Sequence, residues 1–401
     1  MVRDRLARYR LLALVSLLWF LVQAYRFAFP PLFDTLQSEY AVSSAETGFL
    51  FSIFLAGYAV MQFPGGRLAD RFGEHRVIAV GGACAAVAVL GVAVAPTFAA
   101  IVGAAGAIGL TTGGHKTVAI NYLSRVYPSK CGRALGVMDT IGISGGLVAP
   151  LLVFVTFLLT VAWQAVFVVL GVAGLGLTAA FVRWGEGVDR PADDTKAGTA
   201  EASESTLQSY TTAFTDSRLS LFSLVAILFT FFYNGVITFL PAYLTTVKGF
   251  SSGVATILYG VLFVGAAMQV ATGELGDRFG RAITATTLLG SSLVGICVLL
   301  VSMSAVALGV AIVFLGIGIH GFRPVRDAYL AAIIPERTRG GTLGLVRLGM
   351  TSVGAVAPAA VGLLIARAGH TIAFVLLGLL SGGVLLISAV VVSIQRTRVP
   401  Q

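Results

Sequence analysis

The chain has 401 residues and a formal net charge of +9, from 27 lysines and arginines against 18 aspartates and glutamates. Hydrophobic residues make up 57% and charged residues 11%, where soluble domains carry about 45–50% and about 25%. So few charges cannot cover a soluble chain of this length, which excludes an ordinary soluble enzyme and leaves a polytopic membrane protein.

Twelve apolar runs long enough to cross a bilayer follow one another at 11–33, 45–66, 75–95, 98–122, 133–158, 162–183, 218–246, 252–274, 281–303, 306–330, 340–366 and 371–394. Arg3, Arg5, Arg8 and Arg10 precede the first run, as in a signal peptide. Gln23, Tyr25 and Arg26 lie where a small-residue cleavage site would be, so the first run reads as a retained span. After the sixth run, 184–217 turns polar and acidic and reads as a flexible linker. Cys84, Cys131 and Cys297 lie far apart in or beside apolar runs and form neither a disulfide framework nor a CxxC metal site. No metal or cofactor is expected.

Orientation follows from the basic residues. With the N-terminus inside, twenty lysines and arginines fall in inside segments, while only Lys248 and Arg367 fall outside. That bias places both termini in the cytoplasm and predicts an integral protein of the cytoplasmic membrane. It also accounts for the high net charge without nucleic acid.

The two halves repeat. MQFPGGRLADRFG at 61–73 matches MQVATGELGDRFG at 268–280, a shift of 207. Tyr122 and Pro128 recur as Tyr329 and Pro335 at the same shift; Gly132, Leu135, Gly136, Gly146 and Pro150 recur as Gly340, Leu343, Gly344, Gly354 and Pro358 at 208. The predicted fold is an all-α membrane protein of two pseudo-symmetric six-helix bundles, 1–183 and 218–401, joined by the linker 184–217. Such paired repeats characterise secondary transporters.

GRLADRFGEHR (66–76) resembles the signature loop of the major facilitator superfamily, G-x-L-x-D-R-x-G-x-[RK]-[RK], with His75 at one basic position. The second copy, GELGDRFGR (273–281), sits where that family has it. Gly66 and Gly73 permit a tight turn and close approach. Asp70 can face the positive N-terminal end of another helix; the resemblance makes this the eleventh span, which begins near Gly340–Gly341. Arg71 and Arg76 can anchor to phosphates or to neighbouring acids. Gly273, Asp277, Arg278 and Gly280 repeat these parts. The resemblance implies two bundles rocking about a central site lined by spans 1, 4, 7 and 10. Two features of drug exporters are altered. The fourth span opens without an arginine (VGAAGAIGLTTGG, 102–114), its glycines serving close helix approach, and Ala149 replaces the glycine before Pro150 in the fifth.

Charges inside the spans cost at least about 2.5–3.5 kcal/mol on insertion scales, so they mark functional candidates. They are Arg26, His115, Lys116, Asp139, His320, Arg323, Arg326, Asp327 and Arg347. Lys116 and Arg323 are related by the 207 shift, and Asp139 and Arg347 by 208. Arg26, Lys116 and Arg323, with Gln23, Tyr25, Tyr233 and Asn234 as hydrogen-bonding partners, are the expected substrate contacts. The basic excess favours an anion. Arg323 either faces the substrate or pairs with Asp327 one turn on, and Arg326 can reach the cytoplasmic surface. Asp139 and Arg347 are gate or pairing candidates. With His115, His320 and Asp327, they are also the candidates for proton coupling.

RFAFPPL (26–32) is similar to the organic-anion and sugar-phosphate permease branches of the superfamily, although no second arginine stands on span 7 or 8. The expected function is movement of a small organic anion across the cytoplasmic membrane by alternating access, as a monomer, with proton symport. The alternative is a proton-coupled efflux carrier for apolar or cationic compounds. ATP drive is not expected, since no Walker A motif is present. An enzyme is not expected either: HExxH is absent, and GxSxG occurs only as Gly142-Ile143-Ser144-Gly145-Gly146.

Overall fold

The structure is a computed structural model, and it describes residues 2–185 and 213–397. Most of the predicted linker 184–217 lies outside the described residues. Among the described residues the chain is all helix and turn.

The first span is Val2–Phe27, continued through a 3-10 turn at Pro30–Leu32 into Phe33–Tyr40. Ser43 then caps Ser44–Phe72 with a full capping box, its side chain and backbone exchanging bonds with Glu46. The third to sixth spans are Glu74–Ala93, Phe98–Gly113 with His115–Val126, Cys131–Leu158 and Gln164–Trp184. The second half runs Ser217–Thr246, Ser252–Val264 with Gln269–Phe279, Arg281–Val301, Ala305–Ile333 and Arg339–Thr397.

Ten of these helices are long and apolar enough to cross a membrane, and an eleventh is the pair 252–279, bent by 47°. One of the ten, Gly341–Gln395, has 55 residues. At about 1.5 Å per residue it would be more than twice as long as the hydrocarbon core is thick. It breaks at Gly369, where φ is 84° and ψ 163°. Counting its two limbs separately gives the twelve predicted spans.

The chain divides into two compact units. The first comprises the described residues of Met1–Arg190 with Thr238–Gly260 and Pro358–Arg367; the second comprises those of Pro191–Ile237, Val261–Ala357 and Ala368–Gln401. The first unit thus takes in the end of span 7, the start of span 8 and a short piece of span 11. Polar contacts tie these pieces in: the Thr245 hydroxyl donates to the Asp34 carboxylate, and the Ala359 amide donates to the Ser52 hydroxyl over 2.9 Å.

Glycines bring the fourth span against the second. A Cβ on Gly109 would collide with the Phe54 carbonyl, and one on Gly113 with the Tyr58 backbone. In the second unit, Gly316 bears the same relation to Leu262. The signature loop turns at Gly73 (φ 84°) and its repeat at Gly280 (φ 93°), each ending one helix and starting the next. Gly66 and Gly273 do not make the turn. Both are inside helices, and neither has an atom within 4 Å of where a Cβ would stand.

Candidate functional site

Apart from Arg26, the intramembrane charges fall into two clusters, one in each unit. In the first unit, the fifth span presents Gly142 and Gly145 to the first. Gly142 seats the Trp19 ring, and Gly145 seats the backbone of Phe20 and Ala24 beside Gln23. This close approach accounts for the glycines around Ser144. Trp19 is stacked on His115, with ring centroids 5.9 Å apart and planes 3° apart, and the Lys116 ammonium lies 5.5 Å from the Trp19 centroid. Lys116 is paired with Asp139 at 3.0 Å, with a third of one side chain and about half of the other exposed. Asp139, a gate or pairing candidate, is thus paired within its own half.

The substrate candidates of the first span point in different directions. Tyr25 is buried and turned toward the sixth span, its hydroxyl 3.5 Å from the Leu170 carbonyl and against Gly174. Gln23 is buried beside Gly145. Arg26 is partly buried, its guanidinium 5.2 Å from the Phe27 ring centroid. Trp19 carries no charge to single it out in the sequence. Its signal was positional, because residues 19, 23 and 26 fall on one helix face.

In the second unit, Asp327 pairs with its chain neighbour Arg326 at 2.8 Å, and not with Arg323 one turn away. Arg326 is buried and does not reach the surface as expected. Arg323 and Arg347 are both within Coulombic range of Arg326, and neither makes an ion pair among the described residues. Of the three guanidiniums, one has a carboxylate partner. Tyr233 stands between Arg323, 5.9 Å from its ring centroid, and His320, at 6.3 Å. His320 is 1% exposed, packs on Phe263 at 5.4 Å, and neither ring nitrogen has a hydrogen-bond partner among the described residues. It occupies the repeat position of Gly113, which is why it lies in a tight helix seam. Asn234 is buried and donates to the Thr230 carbonyl over 2.9 Å, with Gly354 against its amide.

The repeat makes the comparison between units direct. Positions 116 and 139 hold an ammonium and a carboxylate in contact. The equivalent positions 323 and 347 both hold arginine. The first cluster is neutral as a pair, and the second carries a net positive charge.

In the signature loop, Glu74 is buried and paired with Arg125, and His75 stacks on Phe181 at 4.6 Å while facing its carbonyl. Asp70, Arg71 and Arg76 are exposed. In the repeat, Asp277 pairs with Arg281 and Arg278 with Glu274.

Two homologous six-span halves with charges placed within their spans point to a polytopic membrane transporter, and comparison with known proteins agrees. The Major Facilitator Superfamily model matches residues 15–281 and 252–401, and the chain belongs to that family. Among curated relatives, the probable sulfoacetate transporter SauU of Cupriavidus necator is 24% identical over 397 residues, 94% of this chain and 91% of that protein. The gentisate transporter of Corynebacterium glutamicum is 33% identical over 136 residues, 33% of this chain and 30% of that protein. Among solved structures, a variant of the nucleoside transporter NupG has a TM-score of 0.80 at 13% identity, covering 96% of this chain and 99% of that one. A D-xylose–proton symporter has a TM-score of 0.76 at 14% identity, covering 95% and 97%. These structures share the fold.

Proposed function

We propose that the protein moves a small organic anion across the cytoplasmic membrane by alternating access, in symport with protons, with both termini in the cytoplasm. The observation that carries this is the charge of the second cluster. Asp327 pairs with Arg326 alone, and Arg323 and Arg347, both within Coulombic range of Arg326, have no carboxylate partner among the described residues. Positive charge held in low dielectric attracts anions and repels cations. A guanidinium also offers a planar fork that fits carboxylate or sulfonate oxygens. The names of the two curated relatives, a sulfoacetate and a gentisate transporter, support the same substrate class.

Lys116 and Asp139 give this reading a route for proton coupling. Pairs this exposed contribute about 1 kcal/mol at most, so a substrate anion can displace Asp139 from Lys116. The released carboxylate is the acid–base group we assign to carry the proton. Substrate and proton then travel together.

The test is uptake in proteoliposomes of organic carboxylates and sulfonates, with and without an inward proton gradient, by wild type and Asp139→Asn. Wild type should accumulate an anion against its gradient. Asp139→Asn should retain anion–anion exchange and lose gradient-driven accumulation. Accumulation that survives in Asp139→Asn would contradict the coupling route.

A further inference from the structure

A cavity of about 470 Å³ opens among the first four spans of the first unit. Its volume is within the range of about 300–1,000 Å³ typical of ligand sites. Leu18, Val22, Ile78 and Val118 line its apolar interior. Phe72, Val80, Cys84 and Leu110 stand at its exposed edge. An exposed apolar edge on membrane-spanning helices opens toward lipid.

One end of this cavity is cationic. Arg76 lines it, and the Arg71 guanidinium lies over the Phe72 ring at 5.2 Å. Arg71 and Arg76 make no ion pair among the described residues, and Glu74 between them is taken up by Arg125. The loop's other acid, Asp70, leaves a net positive rim.

We propose that this crevice holds one acyl chain of an anionic phospholipid, with the lipid phosphate on Arg71 and Arg76. A soluble organic anion fits the rim but not the apolar walls. A neutral apolar molecule fits the walls and leaves both guanidiniums without a counter-charge. An anionic lipid satisfies both, and basic pockets between membrane helices are established binding places for anionic headgroups. Tyr25 and His115 also line the cavity, but the proposal does not depend on which solute the protein carries.

Native mass spectrometry of the purified protein, titrated with phosphatidylglycerol and phosphatidylcholine of identical chains, tests it. Two arginines near the surface correspond to a preference of about thirtyfold for the anionic lipid. Wild type should retain one phosphatidylglycerol with that preference. The double variant Arg71→Gln/Arg76→Gln should bind the two lipids equally. Cys84→Trp keeps both arginines, adds bulk at an exposed edge position and spares the core; it should remove the preferential adduct by closing the mouth. Equal retention of both lipids by wild type would overturn the proposal. So would a preference that survives the double substitution, or one unaffected by Cys84→Trp, which would mark headgroup attraction without an acyl-chain site.

Discussion

Positions 139 and 347 are equivalent in the repeat, and the change from aspartate to arginine sets the charge of each half. Asp139 neutralises Lys116, whereas Arg347 adds to Arg323 and Arg326. Arg347→Asp should therefore place a carboxylate where the first half has one, cancel the excess charge and abolish anion uptake. Stability should hold, because like-charge repulsion is relieved and Arg347 is exposed. Uptake and thermal unfolding of the purified variant check both parts; a collapse of the melting temperature would show Arg347 to be a packing residue. The charged residues themselves were legible in the sequence because charge in an apolar run is conspicuous. Their pairing was not. Lys116 and Asp139 are on different spans, with no periodicity to link them. Asp327 met Arg326 instead of Arg323 because burial of Arg326 demands an adjacent counter-charge, which helical spacing alone does not reveal.

Helices and turns were the most legible level, since a run of about 20 apolar residues has few alternatives and the repeat supplies each half with a check on the other. The break at Gly369 coincides with the gap between the last two predicted spans. Less legible was the division of labour inside the signature loop. Gly66 and Gly73 look alike in sequence, yet only Gly73 has positive φ. Its φ of 84° and ψ of 145° lie close to a region that only glycine occupies readily, so Gly73→Ala should cost about 1–3 kcal/mol. Gly66→Ala should be neutral or stabilising by up to about 1 kcal/mol, because it is helical and meets nothing. Chemical or thermal unfolding in detergent distinguishes the two. Asp70 is exposed at the C-terminal end of the same helix, whose dipole gives its charge no support; the interaction expected of it is with the N-terminal end of the eleventh span, worth about 0.3–1 kcal/mol. Asp70→Asn should slow transport by shifting the populations of the two access states while leaving substrate affinity nearly unchanged. Loss of binding with unchanged exchange kinetics would contradict that role.

At the scale of the whole molecule, the repeat and the intramembrane cations belong to one carrier, for which the charge bias predicts an orientation. Its orientation is open to a direct check in a variant with Cys84, Cys131 and Cys297 replaced by serine. Ser251→Cys, exposed between spans 7 and 8, should react with an impermeant maleimide on intact cells; Ser129→Cys, exposed between spans 4 and 5, should react only after permeabilisation. The sign of the substrate is the central claim, and one measurement addresses it. Carboxylates, sulfonates, phosphates, neutral sugars and organic cations would be offered to proteoliposomes holding wild type or Arg26→Gln. Wild type should take up organic anions and leave cations outside. We propose that Arg26 adds a further contact to the anion from the first span, so Arg26→Gln should lose most of that uptake, a charge-assisted hydrogen bond of about 1.5–3 kcal/mol being removed. Robust cation transport that persists in Arg26→Gln would contradict the account and favour an exporter of cationic compounds.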